Sequence, residues 1–242
     1  MPKLEPYSRK LPYSYALGAF PAMNLMEAHP EKAMRLLLHP DGLENAGVIK
    51  LREMCARLGV REETAERVLR RESGKDNCYV GLAFEKFDSD LNPDLCHAVL
   101  CQISDSGNLG TAMRSLLAFG VRDVALIRPC VDVFEPHALR SSMGAFYKLR
   151  VHTYDTFADY RADFPSRTLY PFMLDGAIPL NEAAAQAKKP YSLVFGNEAS
   201  GLPKEFAAYG QSVLIPQSAE VDSLNLAVAV SVGSYMFLHG KD

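Results

Sequence analysis

The 242-residue chain has no tryptophan, which by itself excludes nothing. Its other absences exclude more. The five cysteines, Cys55, Cys78, Cys96, Cys101 and Cys130, form no Cys-x-x-Cys pair. That spacing gives no support for a structural zinc and suits a reducing compartment, where buried cysteines act as small apolar residues. No Gly-x-Gly-x-x-Gly fingerprint and no Walker loop is present, so dinucleotides and nucleoside triphosphates are poorly supported. A Gly-x-Ser-x-Gly elbow and a His-Glu-x-x-His pair are missing too. Neither sign of charge dominates: 26 Lys and Arg against 29 Asp and Glu leave −3. Global charge therefore does not advertise a nucleic acid, although a local basic patch can still carry phosphate contacts. The first residues contain no apolar signal core, and the last apolar run is short and broken by Gly233 and Ser234. The expectation is a soluble, cytoplasmic protein without a membrane span or a metal.

What is present alternates between apolar runs and helical periodicity. Residues 1–21, with four prolines, read as an irregular arm. Ala33–His39, closed by Pro40-Asp41-Gly42, reads as a strand. Helical spacing from Glu44 ends at Gly59, a second helix spans Glu62–Arg70, and Cys78–Phe84 is a strand. Asp88–Asp94 is the best linker, which predicts a small α/β domain over 1–92 and a second domain over 93–242. In the latter, strands at His97–Ile103, Val124–Ile127, Thr168–Leu174, Ser192–Phe195 and Ser212–Ile215 alternate with helices. That alternation predicts an α/β fold with a mainly parallel sheet covered on both faces. The closing run from Leu226 is apolar all round, which predicts a buried helix.

Ligands of such sheets gather beyond the carboxyl ends of the strands. Three polar loops fall there: 104–110, followed by Arg114; 195–202; and 215–225. Gly107 and Gly110 permit close backbone approach to a ligand. Arg114, read as lying on the first turns of a helix, opposes the macrodipole and so does not serve helix stability. It is either a solvated surface cation or a functional one. Glu198 is either a helix cap or a site carboxylate. Ser223 and Asn225 are either N-cap and first-turn residues of the last helix or part of a site. His97 and His137 lie outside the three loops and read as structural.

Taken together, Asn108-Leu109-Gly110-Thr111-Ala112-Met113-Arg114, Phe195-Gly196-Asn197-Glu198-Ala199-Ser200-Gly201-Leu202, and Ile215-Pro216 with Ser223-Leu224-Asn225-Leu226-Ala227-Val228-Ala229 resemble the three motifs of the SpoU (TrmH-like) branch of the SPOUT RNA 2′-O-ribose methyltransferases. The resemblance covers roughly the last 150 residues. It implies a trefoil-knotted α/β domain, S-adenosyl-L-methionine as cofactor, a homodimer, and methyl transfer to a ribose 2′-hydroxyl. The catalytic positions it implies are Asn108, Arg114, Glu198, Ser223 and Asn225. The cofactor would be held around Phe195, Gly196, Asn197, Ile215 and Leu224. Gln217 departs from the methionine that commonly follows Ile-Pro. The N-terminal domain more loosely resembles a ribosomal-protein-like, RNA-binding one, which favours ribosomal RNA as substrate. Transfer RNA, or a non-catalytic RNA-binding role on the same fold, are the alternatives.

Overall fold

The computed structural model describes residues 4–174 and 177–240. The chain opens with β1 (Tyr13–Leu17), α1 (Ala19–Ala28), β2 (Ala33–Leu38), α2 (Ala46–Arg57), β3 (Glu62–Thr64), α3 (Glu66–Ser73) and β4 (Val80–Glu85). Next come β5 (His97–Cys101), α4 (Ser106–Phe119), β6 (Asp123–Ile127), α5 (Pro136–Ser141), β7 (Arg150–Tyr154) and α6 (Phe157–Asp163). The remainder is β8 (Thr168–Pro171), β9 (Ile178–Pro179), α7 (Leu180–Gln186), β10 (Tyr191–Phe195), β11 (Val213–Leu214) and α8 (Leu226–His239). Two compact units result: the chain up to Phe87 with Asp132–Lys148, and Asp88–Val131 with everything from Leu149. The excursion 132–148 joins the first unit because Phe134, Phe146 and Tyr147 pack their rings on Phe84 and Phe87. No local pattern announces such a return, and the grouping differs from a single cut after residue 92.

The first unit holds a four-stranded sheet in the order β1-β4-β2-β3. Here two sequence expectations are corrected. The arm 1–21 contains β1, paired antiparallel with β4 from Tyr13↔Glu85 to Leu17↔Gly81, and the start of α1. Pro12 precedes the strand and Pro21 sits in the first turn of α1, where a missing N–H costs little, so neither proline breaks its element. Glu62–Thr64 is an edge strand, parallel to β2, rather than the start of a helix. Its acidic residues satisfy Arg52 and Arg35 by ion pairs, and charge on a short edge strand conceals a strand signal.

In the second unit five strands run β7-β6-β5-β10-β8, every neighbouring pair parallel. β5, β6 and β10 are buried along their whole length, as strands covered on both faces must be. β7, which the sequence reading missed, has the mixed burial of an edge strand, with polar residues that dilute its apolar pattern. Asp105 caps α4 through Asn108 N at 2.6 Å, and Gly120, at φ 90°, ends it. Since α4 begins at Ser106, Arg114 lies in its third turn, and the macrodipole argument does not apply to it. The closing helix is not buried all round either. Leu226, Ala227, Val230, Gly233 and Phe237 face inward, whereas Val228, Val232 and Tyr235 are exposed.

From β5 the chain moves outward through β6 to β7, then places β8 beyond β10 on the other side. The direction of winding thus reverses between β5 and β10, and a crevice opens at their carboxyl ends. The amino ends of the same strands are sealed. His97 Nε2 lies 2.8 Å from the Asn92 carbonyl and 2.9 Å from Arg167 Nη2, Nδ1 is hydrogen-bonded to the Tyr160 hydroxyl (3.0 Å), and that hydroxyl is hydrogen-bonded to Ser192 Oγ (2.6 Å). Asp123, wholly buried, takes two N–H groups of Arg150 at 2.7 and 2.6 Å and the Asn92 N–H at 2.8 Å. Burial pushes His97 down to about 4, with the nearby Arg167 guanidinium adding to the effect against the Asn92 hydrogen bond.

Candidate functional site

The crevice is built from the loops that follow β5 and β10 and from the segment leading into α8. Its centre is Glu198. One carboxylate oxygen accepts from Ser104 N (3.1 Å) and Ser104 Oγ (2.9 Å). The other accepts from Asp105 N (3.1 Å) and Asn108 Nδ2 (3.3 Å). Burial opposes the charge of Glu198, but the backbone N–H groups around it and the Ser104 hydroxyl outweigh that opposition and lower its pKa. The carboxylate therefore belongs to the start of α4 rather than capping the short turn at Lys204–Ala208 that follows it.

Asn108 passes the connection onward. Its Oδ1 accepts from Asn225 Nδ2 at 2.9 Å, and Asn225 Oδ1 caps α8 through Ala227 N (2.9 Å) and Val228 N (3.4 Å). Such a cap is worth about 1 kcal/mol. One side-chain chain, Glu198–Asn108–Asn225, thus joins all three loops. The capping and site readings of Asn225 coexist, since one end of its amide serves each.

Beside this chain lies a cavity of about 580 Å³, in the range of small-molecule sites. Its wall includes Phe195, Gly196, Asn197, Glu198, Ile215, Ser223 and Leu224. Gly196 is required here: a Cβ would come within 2.3 Å of Gly201 C and 2.4 Å of Leu202 N. At Gly233 a Cβ would meet a side chain rather than backbone, 2.6 Å from the Phe172 ring, itself stacked on Phe195 at 4.3 Å. Ser231 meets Ser115 of α4 at 2.7 Å, so the small residues of α8 do permit close packing. Two of the residues picked out in the sequence stand apart from the hydrogen-bonded chain. The Arg114 side chain is exposed and, among the described residues, makes no hydrogen bond or ion pair. Ser223 is exposed at the cavity wall and caps nothing.

Sequence reading did not single out Ser104, Gln102, Phe172, Met173, Leu174 or Lys204. Ser104 sat within the first loop, and its proximity to a carboxylate 94 residues away has no local signal. Phe172, Met173 and Leu174 looked like strand residues and prove to line the cavity, as does Lys204. Among the described residues, no group of three or more His, Cys, Asp or Glu side chains could hold a metal ion, and no helix is long and apolar enough to cross a membrane.

A parallel sheet with its polar crevice at the reversal of winding, floored by a cavity of ligand size, defines an α/β ligand-binding domain. Residues 96–235 match the family model of the SpoU rRNA methylases, which is more than half of the chain, and the chain belongs to that family. An uncharacterized tRNA/rRNA methyltransferase of Synechocystis sp. is 33% identical over 144 residues, 57% of this chain and 50% of that protein. The tRNA (cytidine/uridine-2′-O-)-methyltransferase TrmJ of Escherichia coli K12 is 32% identical over 148 residues, 57% of this chain and 60% of that protein. The matched stretch thus spans about half the length of these relatives. A solved rRNA methyltransferase of Sinorhizobium meliloti has a TM-score of 0.78 at 25% identity, covering 93% of this chain and 86% of that one. Its AdoMet-bound form gives 0.79 at 24% identity, with the same coverage. The SPOUT fold expected from the motifs is therefore the fold observed.

Proposed function

We propose that the chain is an S-adenosyl-L-methionine-dependent methyltransferase that modifies a ribose 2′-hydroxyl of RNA, with ribosomal RNA as the favoured substrate. The observation that carries this reading is the hydrogen-bonded chain Glu198–Asn108–Asn225, whose Glu198 end lies in the wall of the cavity. The cavity fits the cofactor. Among the described residues, neither Ile215 nor Leu224 spends its main-chain groups on a hydrogen bond within the protein, so both are free to serve a ligand. Gly196 leaves space where any side chain would intrude on the wall. Phe195, Gly196, Asn197, Ile215 and Leu224 would hold the adenosyl part. When bound, the cofactor supplies a methyl group already activated by its sulfonium.

What remains for the protein is alignment and charge. Arg114 would grip the RNA phosphate beside the target ribose and stabilise the oxygen as it becomes nucleophilic. A guanidinium is a poor base, so the proton would leave to that phosphate or to water. Asn108 and Asn225 would orient the ribose, with Ser223 beside them, while Glu198 fixes the loop that carries Asn108. The first unit, residues 1–92 in the sequence division, would hold structured RNA.

A homodimer and the knotted path of the C-terminal segment belong to the same reading. The dimer is supported by Val228, Val232 and Tyr235, spaced along the outer face of α8 and 46%, 37% and 50% exposed, with Phe119 against Tyr235. Light scattering that finds a monomer at micromolar concentration would remove it.

The decisive experiment supplies methyl-labelled cofactor with ribosomal or transfer RNA and digests the product to nucleosides. Label in 2′-O-methyl nucleosides of ribosomal RNA is the expected outcome. Label confined to transfer RNA transfers the assignment to that substrate, in keeping with the name of the TrmJ relative. Label on a base, or none, defeats the ribose reading.

A further inference from the structure

The end of β5 carries a feature that the three motifs leave unexplained. Among the described residues, Gln102 and Met143 are the non-glycine positions with positive φ, and Gln102 stands at 58°. That conformation disfavours any residue with a Cβ. The Gln102 side chain is exposed, but its backbone is fully engaged. Its N–H donates to the Ile127 carbonyl at 3.0 Å, extending the pairing of β5 with β6 by one rung. Its carbonyl accepts from Asn197 Nδ2 at 2.8 Å. A left-handed turn at one residue lets the N–H stay in the sheet while the carbonyl swings toward the second loop.

The consequences run in both directions along the chain. Past the turn, Ile103 is buried and its carbonyl accepts from Val131 N at 2.9 Å, so the N–H groups of Ser104 and Asp105 reach Glu198. On the other loop, the Asn197 amide nitrogen donates to the Gln102 carbonyl (2.8 Å) and to Glu198 Oε2 (3.3 Å), while Oδ1 accepts from Ala199 N (2.9 Å) and Ser200 N (3.2 Å). Those bonds shape the turn that walls the cavity, closed by the reciprocal Asn197–Gly201 backbone pair.

We propose that Gln102 is a positioning residue for the cavity: its left-handed backbone aims its carbonyl at Asn197 and thereby sets the 196–201 turn that receives the cofactor. The inference rests on the cofactor reading above. It makes the conformation at 102 essential and the glutamine side chain dispensable. Glycine adopts positive φ freely, whereas a β-branched residue resists it.

The test is a cycle of the parent, Gln102→Val, Asn197→Ala and the double variant, with Gln102→Gly as the rescue control. Each is titrated calorimetrically with S-adenosylhomocysteine and melted without ligand. Gln102→Gly binds within about twofold of the parent. Gln102→Val and Asn197→Ala each weaken binding by about tenfold or more, and the double variant is little worse than Asn197→Ala alone, because that substitution already removes the Gln102–Asn197 bond along with the Asn197 bonds to Ala199, Ser200 and Glu198. Should Gln102→Val fail to fold, Gln102→Gly and Asn197→Ala read the same contact. Parent-like binding by Gln102→Val or Asn197→Ala, losses that multiply in the double variant, or a loss in Gln102→Gly as large as in Gln102→Val overturns the proposal. If the parent itself binds no S-adenosylhomocysteine, the cofactor reading fails. The Gln102–Asn197 latch is then decided by the melting temperatures: shifts that do not add support it and additive shifts overturn it.

Discussion

β5 and β10 carry polar residues at both ends, and the two ends are built on opposite rules. At the amino end His97, Tyr160 and Ser192 satisfy one another and Asp123 takes N–H groups from Arg150 and Asn92; His97, Tyr160, Ser192 and Asp123 are themselves out of reach of solvent. At the carboxyl end Glu198, Asn108 and Asn225 also satisfy one another, yet they are exposed or half-buried, and Glu198 lies in the wall of a cavity. The contrast teaches that a polar cluster with a displaced pKa is not in itself a site. His97 departs further from its ordinary value than most groups in the chain, but no ligand can reach it. Accessibility at the reversal of strand order separates the two ends.

The sharpest way to break this contrast is Arg114→Ala. With Arg114 free of internal partners, the fold loses nothing, S-adenosylhomocysteine affinity stays within about twofold, and turnover falls by about a thousandfold or more. A parallel fall in affinity would show that Arg114 holds the cofactor instead. Next in size is Gly196→Ala, whose new Cβ meets backbone at 2.3 Å and cannot be relieved by a side-chain rotation. Calorimetry is expected to show cofactor-analogue affinity about a hundredfold weaker, through displacement of the cavity wall.

The closed end responds in the opposite way. Asp123→Ala leaves Arg150 and the Asn92 N–H without their acceptor and destabilises the chain by about 2–3 kcal/mol, toward the low end for a buried pair because Arg150 is partly solvated. A melting curve reads the loss, and affinity for S-adenosylhomocysteine in the folded protein is unchanged.

pH separates the ends more gently. The depressed pKa of His97 means that the unfolded chain takes up a proton below about pH 6.5 while the native one resists until about pH 4. The stability contributed by neutral His97 is complete above that window and is lost as pH falls through it, so His97→Gln flattens melting temperature against pH between those values. Glu198, also lowered, holds the α4 loop down through the ordinary carboxylate range and releases it only at more acidic pH. Cofactor-analogue binding that declines with a midpoint near neutrality would contradict that role.

Much of this was legible in the chain, for local reasons. The continuous apolar runs of β5, β6 and β10 announced a sheet buried on both faces, and Gly59 marked a helix end that the structure confirms. Asn225 could be selected by type and position and Asn108 by its likeness to the first family motif, but their direct hydrogen bond spans 117 residues and needs the fold. β1 was hidden by prolines that flank rather than interrupt it, and β3 by charges that an edge strand tolerates. Gln102 was invisible because its importance lies in a backbone angle rather than in a side chain. The apolar outer face of α8 was read as core because periodicity reports apolar character, not what covers it.

The most direct test of the contrast is a calorimetric titration of the parent, Gly196→Ala and Asp123→Ala proteins with S-adenosylhomocysteine under identical conditions. The account predicts micromolar binding by the parent and by Asp123→Ala, at about one ligand per chain, and a severe loss in Gly196→Ala. No binding by the parent up to about 100 µM, or equal losses from the two substitutions, would contradict it.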